Sequence, residues 1–175
     1  RKYLHTAHDP NRGKMVVIKR FLGTAQSDRE VAALKRCSGH KNIVQFYDYF
    51  TIDGDGCIVM ERVPGKSLRD VVRRRRRFRR RRAVAITISI LKALEHMHKR
   101  GYVYRDLSPG NVMVRSRKAR SGKIIDLGAA LPRDKDGYVR VPGMKDKRRS
   151  RLKKGDLVKP PERYLVDDTY DVFYA

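Results

Sequence analysis

The stretch Tyr104-Arg105-Asp106-Leu107-Ser108-Pro109-Gly110-Asn111, followed fifteen residues after Asn111 by Asp126-Leu127-Gly128, constrains this 175-residue chain more than any other feature. It places an aspartate and an asparagine five apart on one loop, with a second aspartate at the end of a short strand-like run. Phosphoryl transfer needs such a set. One carboxylate orients the attacking hydroxyl, and oxygen ligands hold magnesium on the phosphates.

The rest of the pattern is a small β-rich half followed by a helical half. Residues 15–21 (MVVIKRF) form a β-branched run behind the turn residues Asp9-Pro10-Asn11-Arg12-Gly13 and read as a strand. Residues 27–36 read as a helix capped by Ser27 or Asp28, with Glu30 in its first turn and Val31, Leu34 and Cys37 along one face. Strands are expected at 43–50 and 57–62, joined by the hairpin residues Asp53-Gly54-Asp55-Gly56. After Pro64-Gly65 the spacing predicts a short helix over 67–72 and a long one over 83–100, stopped by Gly101. Residues 112–114 and 123–125 are short strands, and 129–159 reads as polar, basic loop.

Composition sets looser bounds. With 40% hydrophobic residues the chain can bury one core, or two small lobes sharing one. Two cysteines, Cys37 and Cys57, are no disulfide framework and fit a reducing compartment, so an intracellular, cytoplasmic or nuclear location is expected. The longest apolar stretch, 83–94, is interrupted by Thr87, Ser89 and Lys92 and is too short to span a bilayer. Charge is the unusual property: 43 Lys and Arg against 19 Asp and Glu give +24. Nine arginines lie between Arg73 and Arg82, interrupted only by Phe78. Such a field attracts nucleic acid, anionic membrane or acidic polypeptide, but it does not specify a fold.

In this order the motifs resemble those of the eukaryotic-type protein kinase family. The family's H-R-D-x-x-x-x-N loop and D-F-G turn read here as YRDLSPGN and DLG. Val16-Val17-Ile18-Lys19 resembles the strand whose lysine pairs with the α and β phosphates, and Glu30 resembles its ion-pair partner, eleven residues on. The run CIVMERVPGKSL resembles the strand, gatekeeper and hinge, and Pro160-Pro161-Glu162 resembles A-P-E. The resemblance implies an α+β, two-lobed fold with a small antiparallel sheet (1–62) and a mainly helical lobe (63–175), cut short at both ends. It implies Asp106 as catalytic base, Lys19 and Glu30 as the supporting pair, and Asn111 and Asp126 as magnesium ligands. It implies an adenine site built from Leu4, Val17, Lys19, Met60, Val63, Met113 and the backbone of Glu61, with ATP and Mg2+ as cofactors and a protein as substrate. Pro109 follows the serine/threonine pattern. Tyr104, Leu127 and Leu34 are expected to pack between the lobes.

The departures are specific. The glycine-rich loop is essentially missing, with Lys2 on its third glycine and Leu4 at the valine that roofs adenine. Val17 takes the slot of a small alanine, and Ser108 replaces the usual lysine two residues after the base. Three readings follow: an ATP- and magnesium-dependent protein kinase, a pseudokinase acting as binding module or scaffold, and a basic nucleic-acid component with a kinase-like body. The tract Arg73–Arg82 is either a solvated loop or a patch for an acidic partner or nucleic acid. Ser150, flanked by Arg148, Arg149 and Arg151, is the candidate for a regulatory phosphate held by Arg105, ahead of Tyr138.

Overall fold

A computed structural model of the chain describes residues 2–74, 78–115, 120–134 and 139. Ser150, Tyr138, Pro160-Pro161-Glu162 and Arg75–Arg77 lie outside the described residues.

The first half is a four-stranded antiparallel sheet. Its strands are β1 (Lys2–Asp9), β2 (Lys14–Phe21), β3 (Phe46–Ile52) and β4 (Asp55–Glu61), in the order β1-β2-β4-β3. The β1–β2 turn forms because the Asp9 carboxylate accepts the backbone N–H groups of Asn11 (3.0 Å) and Arg12 (3.2 Å). The β3–β4 turn is Asp53-Gly54, both left-handed (φ 51° and 79°), as a two-residue hairpin loop requires. Helix α1 (Ala25–Cys37) crosses the sheet. It starts two residues before the sequence suggests, behind Thr24, so neither Ser27 nor Asp28 is its cap. Ser27 is instead fully buried in the first turn, its hydroxyl donating to the Thr24 carbonyl (2.7 Å).

The described part of the second half holds two helices among short strands. After the short strand β5 (Lys66–Ser67) comes α2 (Leu68–Arg73), capped by the Ser67 hydroxyl accepting from the Asp70 N–H, and then α3 (Arg80–Lys99). Helix α3 begins within the arginine tract, a turn earlier than the apolar spacing suggests, because arginine is itself a good helix former. Four short strands follow: β6 (Tyr102–Val103), β7 (Val112–Val114), β8 (Lys123–Ile124) and β9 (Leu131–Pro132). Strand β9, in a stretch that reads as loop, pairs with β6.

One core joins the halves. Val31, Leu34 and Cys37 of α1, Ile58 and Met60 of β4, Ala93 and Met97 of α3, and Tyr104 and Leu127 pack in a single buried cluster. The chain after α1 is stitched to β8, with Val44 N–H donating to Ile124 C=O and Ile124 N–H to Asn42 C=O, both at 2.8 Å. That stitch fixes the residues just before Asp126 relative to α1.

Candidate active site

Strand alternation decides which side chains reach the site. Directly opposed residues of an antiparallel pair face the same way. In the register Leu4↔Lys19↔Ile58 and Thr6↔Val17↔Met60, the side chains of Leu4, Val17, Lys19 and Met60 therefore share one face of the sheet. Phe21, two residues beyond Lys19, is on that face too, and α1 packs against it.

Lys19 and Glu30 are both buried, 4% and 1% exposed. The Lys19 Nζ donates to both Glu30 carboxylate oxygens, at 2.7 and 2.8 Å, and to Asp126 Oδ1 at 3.0 Å. An ammonium buried between two carboxylates makes the charge-assisted bonds that offset its lost hydration. Asp126 Oδ1 also accepts the Gly128 N–H (2.9 Å). Gly128 is tightly enclosed: a Cβ there would lie 3.0 Å from Glu30 Oε2 and 3.1 Å from Asp126 Oδ1, so those carboxylates would have to give by a few tenths of an ångström.

Asp106 follows Arg105, whose backbone is left-handed (φ 72°), an uncommon conformation for a residue with a long side chain. The Asn111 Nδ2 donates to Asp106 Oδ2 (2.7 Å) and to the Asp106 carbonyl (3.0 Å), so the five-residue spacing closes the loop on itself. Asn111 C=O accepts the Ile125 N–H (3.0 Å), joining this loop to the residue before Asp126. Glu30, Asp106 and Asp126 line one cleft of about 230 Å³ together with Phe21, Gln26, Arg29, Gly128 and Ala129.

The structure thus brings Lys19, Glu30, Asp106, Asn111 and Asp126 together. The other expected residues lie apart from that cleft's lining. Leu4 is exposed (68%), Met60 is buried, Val17 and Val63 pack at the edge of the core, and Met113 is half-buried in β7. Among the described residues the Val63 backbone N–H and C=O have no hydrogen-bond partner. Glu61 is bonded through both its main chain and its side chain. Its N–H donates to Gln45 C=O (2.9 Å), and its carboxylate takes the Lys123 ammonium at 2.6 and 2.7 Å. No spacing rule links residues 61 and 123, so that pair was not legible in advance. Ser108, at the lysine slot, is 9% exposed, and its carbonyl accepts the Asn111 N–H (3.0 Å).

Comparisons with known proteins identify the family. CDPK-related kinase 7 of Arabidopsis thaliana is 39% identical over 102 residues, covering 57% of this chain and 18% of the relative. A probable serine/threonine-protein kinase of Streptomyces coelicolor is 34% identical over 140 residues, 73% of this chain and 20% of the relative. MAP kinase-interacting serine/threonine-protein kinase 2 of Xenopus laevis is 32% identical over 111 residues, 62% and 24% respectively. The chain spans about a fifth of the length of these relatives. The family model described as Protein kinase domain matches residues 5–141, most of the chain, a span that includes Lys19, Glu30, Asp106, Asn111 and Asp126. With the ordered motifs and the sheet-and-helix architecture around them, that match shows that this chain belongs to the protein kinase family.

Proposed function

We propose that the chain is the phosphotransfer portion of a serine/threonine protein kinase. The observation that carries this reading is Lys19, held between Glu30 and Asp126 beside the Asp106–Asn111 pair. Asp106 orients a serine or threonine hydroxyl and receives its proton. Asn111 and Asp126 are the oxygen ligands for Mg2+, and Lys19, steadied by Glu30, meets the phosphates. Leu4, Val17, Met60, Val63, Met113 and the Glu61 backbone would receive the adenine. Bound ATP supplies the γ-phosphoryl group, and Mg2+ neutralises its charge. We place the division between the two lobes just after β4, near residue 62. Two buried free cysteines, Cys37 and Cys57, suit a reducing, intracellular setting. Among the described residues no helix is long and apolar enough to cross a membrane.

The test is phosphate transfer to protein by the intact protein and its Asp106→Asn variant. Loss of about 10²–10⁴-fold at unchanged melting temperature supports the assignment. Equal turnover by the variant would remove Asp106 from its role. Buried Ser108 favours a second reading, a nucleotide-binding module without transfer. In that case ATP binds, nothing is phosphorylated, and Asp106→Asn changes neither result. A role for Arg73–Arg82 in holding an acidic partner rests on charge alone, and a nucleic-acid partner has no further support.

A further inference from the structure

We infer that the protein substrate of this cleft carries carboxylate or phosphate groups beside its acceptor hydroxyl, and that Arg69 is the residue that reads them. This rests on the reading of Asp106 as the base.

Helix α2 is seated on the loop that carries Asp106. The Arg69 N–H donates to the Pro109 carbonyl at 2.9 Å. Its guanidinium lies across Gly110: a Cβ there would sit 2.9 Å from Arg69 Cζ and Nη2 and 3.2 Å from Nε. Gly110 is not left-handed, so its missing side chain makes room for Arg69 and does not relieve backbone strain. The next residue is Asn111, which is bonded to Asp106. An exposed cation therefore lies against the candidate catalytic loop, on a helix whose backbone is bonded to that loop.

That cation is unmatched. Among the described residues Arg69 makes no ion pair, whereas Arg12, Lys19, Arg20, Lys99 and Lys123 each have at least one. The single acid of α2, Asp70, accepts the Ser67 hydroxyl (2.7 Å). Arg73 stands one turn beyond Arg69 on the same helical face and is exposed. From α1, exposed Arg29 lines the cleft with Asp106, again with no ion pair among the described residues. The acids inside are already engaged, Glu30 and Asp126 by Lys19 and Asp106 by Asn111.

A peptide with basic flanks would bring like charges against Arg69 and Arg29. One with acidic flanks would form charge-assisted bonds to planar guanidiniums. A polynucleotide fits less well. It presents a phosphate at every residue, including the one that would face the Asp106 carboxylate, whereas a peptide presents a neutral hydroxyl there.

The test uses the intact protein and three labelled peptides around one serine, with glutamate, alanine or arginine flanks, and a single-stranded oligonucleotide of matched charge. Transfer rates and binding by fluorescence anisotropy are read at fixed, near-physiological salt. The expected result is at least about tenfold preference in kcat/KM for the acidic peptide over the neutral one. Arg69→Gln should lower that preference about tenfold, the size of one charge-assisted contact, and Arg69→Glu should lower it further, reversing it where the parent preference is only tenfold. Removing the exposed Lys14 charge, outside the cleft lining, should leave the ratio intact. Preference for arginine flanks, or a ratio unmoved by both Arg69 variants at equal melting temperature, overturns the inference while the kinase reading stands. So does an equal, parallel loss of oligonucleotide binding, which would mark unspecific polyanion attraction. If no peptide is phosphorylated but acidic-peptide binding still depends on Arg69, recognition stands and the transfer reading fails. If neither is seen, both fail.

Discussion

Lys19 and Glu30 meet at 2.7 Å although only three residues, 22–24, separate the end of β2 from the start of α1. The short link is enough because α1 begins at Ala25 and carries Glu30 back over the sheet face that holds Lys19. Both groups are almost fully buried, so removing one leaves the other charged in a poorly solvated place. Lys19→Met should cost about 3 kcal/mol, since it strands Glu30 and weakens the setting of Asp126. The double variant Lys19→Met/Glu30→Gln should cost less than the two single changes added together. Urea titrations of the four proteins measure this. Simple additivity would show that the pair is not coupled.

Much of this site was legible because its residues come as short local motifs. Asp106 and Asn111 are five apart and close on one another through the two bonds of the Asn111 amide, so spacing alone predicts their meeting. Lys19 and Met60 share a face because both lie in strands of period two. Boundaries were less legible. The cap signal of Ser27 lost to the packing that buries this serine against Tyr49, to whose hydroxyl it is bonded at 3.1 Å. Contacts between distant elements were not legible at all. Glu61 with Lys123, and Arg69 over Gly110, depend on how α2, β4 and β8 are placed in space, which no local pattern encodes.

Gly65 links the sheet to the helical half and is left-handed, with φ 117°. A Cβ there would strike the Val114 carbonyl oxygen and the backbone of Arg115, which cannot swing away as a side chain could. Gly65→Ala should therefore destabilise the protein by roughly 2 kcal/mol or more, combining conformational strain with displacement of β7. Gly13→Ala serves as the reference, since it is also left-handed (φ 61°) but has open space around its Cβ. Thermal melts should rank Gly65→Ala well below Gly13→Ala. Equal losses would mean that the Val114 contact carries no weight.

Two histidines couple α1 to α3, and their bonds define their protonation. His96 Nε2 lies 3.0 Å from the Cys37 carbonyl, which can only accept, and His96 Nδ1 lies 3.1 Å from Arg100 Nη1, which can only donate. His96 is therefore neutral with its proton on Nε2. His40 Nδ1 accepts the Asn42 N–H (3.2 Å), and the two rings meet tilted by 40°, their centres 4.8 Å apart. Burial lowers both pKa values below the ordinary 6.5, and neighbouring positive groups (Arg100 for both, with Lys41 and Lys92 for His40) act in the same direction. A depressed histidine pKa means that the unfolded chain binds the proton more readily. The stability from this junction is thus full above about pH 6.5 and is lost as pH falls. His98 is shifted the same way by burial, so part of the effect should survive in a His40→Asn/His96→Gln variant. Melting temperatures at pH 7.5 and 5.5 should differ less for that variant than for the parent. An equal drop in both would exclude the pair as the cause.

Helix α3 opens against its own electrostatics. Its first turn is Arg80, Arg81 and Arg82, it has no acidic residue there, and Arg79 at the N-cap makes no side-chain capping bond. The helix N-terminus carries partial positive charge, so these arginines are repelled by the peptide dipoles and by one another. Arg82 differs from its neighbours, because its guanidinium lies 4.3 Å over the Phe78 ring. Arg80 and Arg81 are exposed, so replacing both with glutamate should raise stability by about 0.5–1 kcal/mol. A serine at position 79 should add about 1 kcal/mol through a true cap. Added salt screens the arginine repulsion, so the parent should gain more from salt than the glutamate variant does. Denaturation at low and high salt reads both effects. A loss of stability in the glutamate variant would mean that these arginines are matched by acidic groups, and that the tract is held in place and not merely solvated.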